Sequence, residues 1–167
     1  MANPRKRIYW DSCVSLSYIN AETGRLAILD AILADSASDK GTTEIYTSTV
    51  SQVEVAFAKS EQDNKALDPD VEAQIDELWA DRSALKLVEF HEAIAKEARQ
   101  LIRTAIAGGF GLKPMDAIHL ATAKWCQAAE FHTYDDHLLK YSDHLGISIV
   151  KPCVQQPALD LPTATSD

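Results

Sequence analysis

The chain has 167 residues and a formal net charge of −9, from 25 acidic and 16 basic side chains. This length predicts one domain, and a hydrophobic content of 46% excludes a largely disordered chain. The acidic excess argues against a protein that binds nucleic acid through a basic surface. The positions of the charges, and not their total, decide whether such a surface exists.

The predicted elements alternate between strands and helices. In chain order they are a strand over 7–10, helices over 12–20 and 26–35, a strand over 44–47, a helix from 48 or 49 to about 59, a helix over 69–79, a strand over 85–90, a helix over 91–107, a helix over 115–129, a strand over 131–134, a short helix over 137–141 and a strand over 147–150. This alternation predicts an α/β fold, in which helices cover both faces of a central, mainly parallel sheet of four to five strands.

The ends of the chain and the cysteines predict the cellular setting. Asp11 interrupts any apolar stretch near the N-terminus, so we expect no secretory signal, and no apolar run is long enough to cross a membrane. Three cysteines without a CxxC pair fit a reducing, cytoplasmic setting without a structural zinc site. The segment 152–167 is polar and contains prolines, and we expect a poorly ordered tail after a domain over 1–151.

Acidic side chains follow the predicted strands. Asp11 follows the first strand, Asp135 and Asp136 follow the fourth, and Glu54 and Asp116 lie near the starts of helices. Alone, each is explained equally well as a cap, a turn residue or a solvated side chain. Because ligand sites of parallel sheets lie beyond the carboxyl ends of strands, these acids are expected to converge there. Converging carboxylates repel one another unless a cation joins them, and Mg²⁺ or Mn²⁺ prefers oxygen ligands.

Four segments that carry these acids resemble PIN-domain nucleases, close to the VapC-type toxins. The segments are 8–12, 48–54, 112–123 and 131–138. The most specific part is the stretch from Pro114 to Ala123, followed by Thr133 and by Asp135 nineteen residues after Asp116. The resemblance covers about residues 7–151.

This resemblance implies a three-layer αβα PIN-like fold and a Mg²⁺- or Mn²⁺-dependent endoribonuclease. Such an enzyme hydrolyses RNA phosphodiester bonds with a water molecule activated by the metal. The residues that match the family's catalytic and metal-coordinating acids are Asp11, Glu54, Asp116 and Asp135, and those that match its supporting positions are Ser12 and Thr133. Asp136 is a further supporting candidate that departs from the pattern, because many relatives place an acid two positions after the residue matching Asp135, where this chain has His137. The resemblance also implies a homodimeric toxin of a type II toxin–antitoxin pair, held by a small antitoxin protein. The alternative is a catalytically inactive PIN-like scaffold that binds RNA or protein, and the presence of all four acids in order favours the enzyme.

Several other residues keep two interpretations. His119 lies one turn after Asp116 and either faces the acids or packs as a structural histidine. Packing is the expected role of Cys13. Apolar spacing predicts core or dimer contacts for Phe57, Trp79 and Trp125. The basic residues considered as RNA contacts, each of which is also explained by a solvated surface, are Arg5, Lys6, Arg7, Arg99, Arg103, Lys113 and Lys124.

Overall fold

Five parallel strands form the centre of the fold in a computed structural model, which describes residues 4–154. The strands are β1 (Lys6–Trp10), β2 (Thr43–Ser48), β3 (Leu85–Val88), β4 (Glu130–His132) and β5 (Ser148–Val150). They lie in the order β3-β2-β1-β4-β5, and each neighbouring pair is parallel. The predicted α/β class and parallel sheet are therefore confirmed. Because the chain moves to one side of β1 and later returns to its other side, a topological switch point lies beside β1.

Helices cover both faces of this sheet. In the described part of the chain they are α1 (Ser12–Ile19), α2 (Leu26–Ala37), α3 (Ser51–Glu54), α4 (Lys59–Asn64), α5 (Pro69–Ala80), α6 (Glu92–Ala107), α7 (Pro114–Trp125), α8 (Asp136–Leu139) and α9 (Ser142–Leu145). Within residues 4–154, no helix has the length and apolarity needed to cross a bilayer. Most of the predicted tail, residues 155–167, lies outside the described residues.

The alternation of side chains along β1 separates two apolar cores. Ile8 and Trp10 are buried on the face that is covered by α1, α2 and α5. Tyr9 points to the opposite face and packs against α6 and α7. Because successive side chains of a strand point to opposite faces, one strand serves both cores and the predicted three layers are confirmed.

The helix predicted from 48 or 49 to 59 is wrong, because the chain breaks it into two. Helix α3 ends at Glu54, and the backbone leaves the helical conformation at Val55 before α4 begins. Helical spacing predicts that Val53 lies on the buried face of this segment together with Phe57, but Val53 is 78% exposed whereas Val55 is buried. Phe57 is partly exposed as well, so it is not a core residue of this chain.

A buried acid holds the helix that follows this break. Glu61 lies inside α4, in the stretch between the helices that the sequence predicts to end near 59 and to begin at 69. Its two carboxylate oxygens accept the backbone N–H groups of Ala58 at 2.9 Å and of Asp68 at 2.7 Å. These bonds satisfy the start of α4 and fix the turn that follows it, which a hydrophobic pattern does not reveal.

Two later helices also differ from their predicted bounds. Helix α7 ends at Trp125 instead of 129, because Gln127 takes a left-handed φ of 56° and Ala129 donates its N–H to the Arg7 carbonyl at 2.8 Å. Trp125 is consequently exposed, whereas Trp79 lies in the core as predicted. The single helix predicted over 137–141 is replaced by α8 and α9.

Candidate functional site

Asp11 is buried at the point where β1 ends and α1 begins. Its Oδ2 accepts the Thr133 hydroxyl at 2.9 Å, and its Oδ1 lies 3.3 Å from the Ser12 hydroxyl. The Asp11 backbone N–H donates to the carbonyl of His132 at 3.1 Å, which joins the ends of β1 and β4. The sheet therefore brings together Asp11, Ser12 and Thr133 as the sequence predicts.

Thr133 also connects Asp11 to Asp135. The Thr133 hydroxyl oxygen accepts the backbone N–H of Asp135 at 3.0 Å. Asp135 in turn caps α8, because its Oδ1 accepts the N–H of His137 at 2.8 Å. The Thr133 hydroxyl thus holds both Asp11 and Asp135 near the carboxyl end of β4.

Asp116 lies in the first turn of α7 and faces the other two acids. Burial raises the pKa of its carboxyl group above the ordinary value, and the negative charges of Asp11 and Asp135 raise this pKa further. Lys113 and His119 partly oppose this effect. Within residues 4–154, the buried Oδ2 atom of Asp116 has no hydrogen-bond partner. Asp116 therefore lies within electrostatic range of both Asp11 and Asp135.

Glu54 reaches the same region from α3 and is held by a histidine. Its Oε2 lies 2.5 Å from Nε2 of His119, and this nitrogen is 3.8 Å from Oδ1 of Asp11. The His119 ring is 1% exposed, and its Nδ1 lies 2.7 Å from the Tyr9 hydroxyl. Both interpretations of His119 therefore hold, because the ring is buried and its Nε2 faces the acids.

The neighbouring acids raise the pKa of His119 by more than its burial lowers it. Burial alone lowers the pKa of the His119 ring. The hydrogen bond to Glu54 and the negative charges of Asp11, Glu54 and Asp116 raise this pKa, and the net direction is upward. Asp11, Glu54 and Asp116 thus favour protonation of a ring that burial alone would keep neutral.

Cys13 contacts the cluster, which sequence reasoning missed. Its Sγ is 3.2 Å from Oδ2 of Asp11 and 3.2 Å from the Thr133 hydroxyl, and it accepts the Tyr134 N–H at 3.3 Å. Burial and the charge of Asp11 raise the pKa of this thiol to about 12, so it stays neutral. Its position two residues after Asp11, in the first turn of α1, was the available signal.

Asp136 has its polar contact elsewhere. It is exposed, and its Oδ1 lies 3.0 Å from Nζ of Lys151. In residues 4–154 its only ion pair is with Lys151, so the structure does not join it to the converging acids.

The chemistry of these side chains suits a hard divalent cation. Carboxylate oxygens are the ligands that Mg²⁺ and Mn²⁺ prefer, and the buried Oδ2 of Asp116 is an acceptor that no donor of residues 4–154 satisfies. Among residues 4–154, no three Asp, Glu, His or Cys side chains are gathered into a complete ligand set. Glu54 and Asp135 are held by His119 and by the start of α8, so binding of a cation requires the carboxylates to move closer together.

Most of the basic candidates near the start of β1 already have partners. Arg5 donates to the carbonyls of Asp35 and Ser36, Lys6 pairs with Glu130, and Arg7 donates to the Cys126 carbonyl. These contacts lie at the amino ends of the strands, whereas the acids lie at the carboxyl ends. Lys124 pairs with Glu97. Lys113 is exposed, immediately precedes α7 and acts electrostatically on Asp116, so it is a basic candidate close to one of the acids.

Comparisons with known proteins agree with this architecture. The sequence model of the PIN domain family matches residues 8–143. No curated protein matches the chain. The structure is similar to VapBC2 from Rickettsia felis bound to a DNA fragment from its promoter, with a TM-score of 0.62 and 12% identity over 87% of this chain and 98% of that chain.

Two further solved structures share the fold. DNA-bound VapBC from Salmonella typhimurium has a TM-score of 0.62 and 15% identity, over 89% of this chain and 99% of that chain. FitAcB from Neisseria gonorrhoeae has a TM-score of 0.60 and 18% identity, over 87% and 97% of the respective chains. At these identities the likeness shows the fold alone.

Proposed function

Because this chain belongs to the PIN domain family, we propose that it is a divalent-metal-dependent endoribonuclease that hydrolyses RNA phosphodiester bonds. The observation that supports this proposal most strongly is the convergence of Asp11, Asp116 and Asp135 at the carboxyl end of a parallel sheet. Burying like charges together destabilises a protein, so their presence favours a role in binding a cation.

In this proposal, each acid has a separate task. Mg²⁺ or Mn²⁺, when bound, supplies positive charge that polarises water and the scissile phosphate. Asp11, Asp116 and Asp135 hold this cation. The Oε2 of Glu54 is engaged by His119, which leaves Oε1 to orient the attacking water and accept its proton.

The supporting residues keep these acids in place. Thr133 donates to Asp11 and accepts from the Asp135 backbone, so it sets the spacing between two of the acids. Ser12 adds a second donor to Asp11. Asp136, which pairs with Lys151, has at most an indirect role through the start of α8.

The net charge of −9 fits this proposal once position is considered. Cations bound by the acids neutralise charge where the substrate phosphate is placed, so metal-loaded and metal-free surfaces present different fields to RNA. Lys113 is the basic side chain best placed to contact the RNA backbone. We expect weak affinity for RNA when no metal is bound.

We also propose that the chain is a cytoplasmic toxin of a type II toxin–antitoxin pair and forms a homodimer. The support is its resemblance to VapC-type sequences and the similarity of its fold to VapBC and FitAcB structures. Exposed apolar side chains provide surfaces for an antitoxin and for a second copy of the chain. These side chains are Val53, Phe57 and Leu67 between α3 and α5, and Ile106 and Trp125 at the ends of α6 and α7.

Cleavage assays with paired substrates test the proposed activity. The purified chain should cut single-stranded RNA in Mg²⁺ or Mn²⁺, lose this activity in EDTA, and leave DNA of the same sequence intact. Cleavage that persists in EDTA would contradict the metal dependence. Intact RNA under all conditions, from a folded preparation, would favour the inactive scaffold.

A further inference from the structure

A continuous chain of hydrogen bonds connects the sheet to Glu54 through His119. The amide of Ser48 donates to the Tyr9 hydroxyl at 3.0 Å, and this hydroxyl lies 2.7 Å from Nδ1 of His119. On the other side of the ring, Nε2 lies 2.5 Å from Oε2 of Glu54. Both ring nitrogens of a buried histidine therefore have partners.

The chemistry of the two ends determines where the hydrogens lie. An ionised carboxylate only accepts hydrogen bonds, so Nε2 of His119 carries a hydrogen and donates it to Glu54. The phenol of a tyrosine carries its proton at neutral pH, so Tyr9 has one hydrogen to donate. With its oxygen accepting from Ser48, Tyr9 donates to Nδ1 of the neutral ring. When the ring is charged, Nε2 also carries a hydrogen and donates it to Glu54.

The two ends of this chain differ in rigidity. Tyr9 is fully buried in β1, and its ring stacks on Phe131 with centroids 5.3 Å apart. Glu54 lies at the end of α3, a helix of four residues, and the backbone leaves the helical conformation at the next residue. A short helix provides little support for a side chain, so an anchored donor contributes much of its orientation.

From this geometry we propose that His119 is a positioning residue, which holds Glu54 beside Asp11 while Tyr9 fixes the plane of the imidazole ring. The inference rests on the proposed function, because it assigns to Glu54 the task of orienting water. His119 itself is too buried to touch RNA. Its effect on the reaction therefore passes through Glu54.

Two substitutions separate this role from simple packing. His119→Leu removes the donor, whereas His119→Gln returns an amide N–H near the position of Nε2. Loss of a partner that orients a reactive group typically lowers activity about 10- to 100-fold. We expect His119→Leu to lower kcat by about this factor, to leave KM for RNA nearly unchanged, and to be rescued largely by His119→Gln.

A double-mutant cycle with Glu54→Gln provides the decisive comparison. If His119 acts through Glu54, His119→Leu costs little further activity once Glu54 is replaced. Independent losses that multiply, or an unchanged kcat in folded His119→Leu, would overturn the proposal. Melting temperatures of all variants show whether each is folded.

An NMR measurement tests the hydrogen-bond chain even if the protein does not cut RNA. Nitrogen-15 spectra of the His119 ring should show a hydrogen on Nε2, with signals that shift in Glu54→Gln and in Tyr9→Phe. A ring without a hydrogen on Nε2, or one insensitive to both substitutions, would overturn the inference. Intact RNA together with the expected ring signals would instead contradict the proposed ribonuclease and the catalytic part of the inference.

Discussion

Replacing Asp11 with asparagine should reduce metal-dependent RNA cleavage more than about 100-fold, because changes in outer-shell partners of a metal site already cost 10–100-fold. Asparagine keeps the shape of aspartate and can still accept the Thr133 hydroxyl, so the chain should stay folded. It removes the negative charge at the end of β1 that we propose binds the cation. Initial rates at saturating Mg²⁺, together with circular dichroism, measure both effects.

Asp39→Asn is the matched control for this substitution. It makes the same chemical change and alters the net charge by the same amount, but Asp39 is exposed in the turn before β2, at the opposite edge of the sheet. We expect this variant to keep the activity of the parent protein. An Asp11→Asn preparation as active as Asp39→Asn would contradict the proposed site.

Replacing Asp116 with asparagine should make the metal-free protein more stable while it destroys activity. Burial and the charges of Asp11 and Asp135 raise the pKa of Asp116 above its ordinary value of 3.8. Its protonated form is therefore favoured by folding, and this stabilisation is lost as the pH rises through the raised pKa. At pH 7 the ionised group costs stability, which a neutral asparagine avoids.

The expected gain is modest, because Asp116 is only partly buried. We expect a rise of roughly 1–3 °C in the melting temperature in EDTA at pH 7. The difference should shrink as the pH is lowered through the raised pKa of Asp116, because the parent carboxyl group then also becomes neutral. A lower melting temperature for Asp116→Asn at pH 7 would show that the carboxylate stabilises the metal-free fold.

Much of the fold and the acidic cluster is predictable from local sequence signals. The strands alternate with helices, and this order predicts a parallel sheet whose carboxyl ends meet. Asp11 directly follows β1 and Asp135 lies three residues after the end of the neighbouring β4, so topology brings them to the same end of the sheet. The existence of α4 was not predictable in this way, because it depends on the buried carboxylate of Glu61 accepting the backbone N–H groups of Ala58 and Asp68.

The contacts that organise the site join residues far apart in sequence. Tyr9 and His119 are 110 residues apart, and Cys13 and Thr133 are 120 apart. Spacing along the chain places His119 one turn after Asp116 but does not show which residues face its ring. Only the packing of α7 against β1 and β2 reveals that its Nε2 points at Glu54.

The most direct test of the proposed metal site is the change in melting temperature on adding Mn²⁺. A ligand at about 100 times its dissociation constant stabilises a folded protein by about 2.7 kcal/mol. For a chain of this size, that corresponds to a rise of about 5–10 °C. We expect this rise in the parent protein and in Asp39→Asn, and its absence in Asp11→Asn. No rise in the parent, or an equal rise in Asp11→Asn, would contradict a metal site built on Asp11.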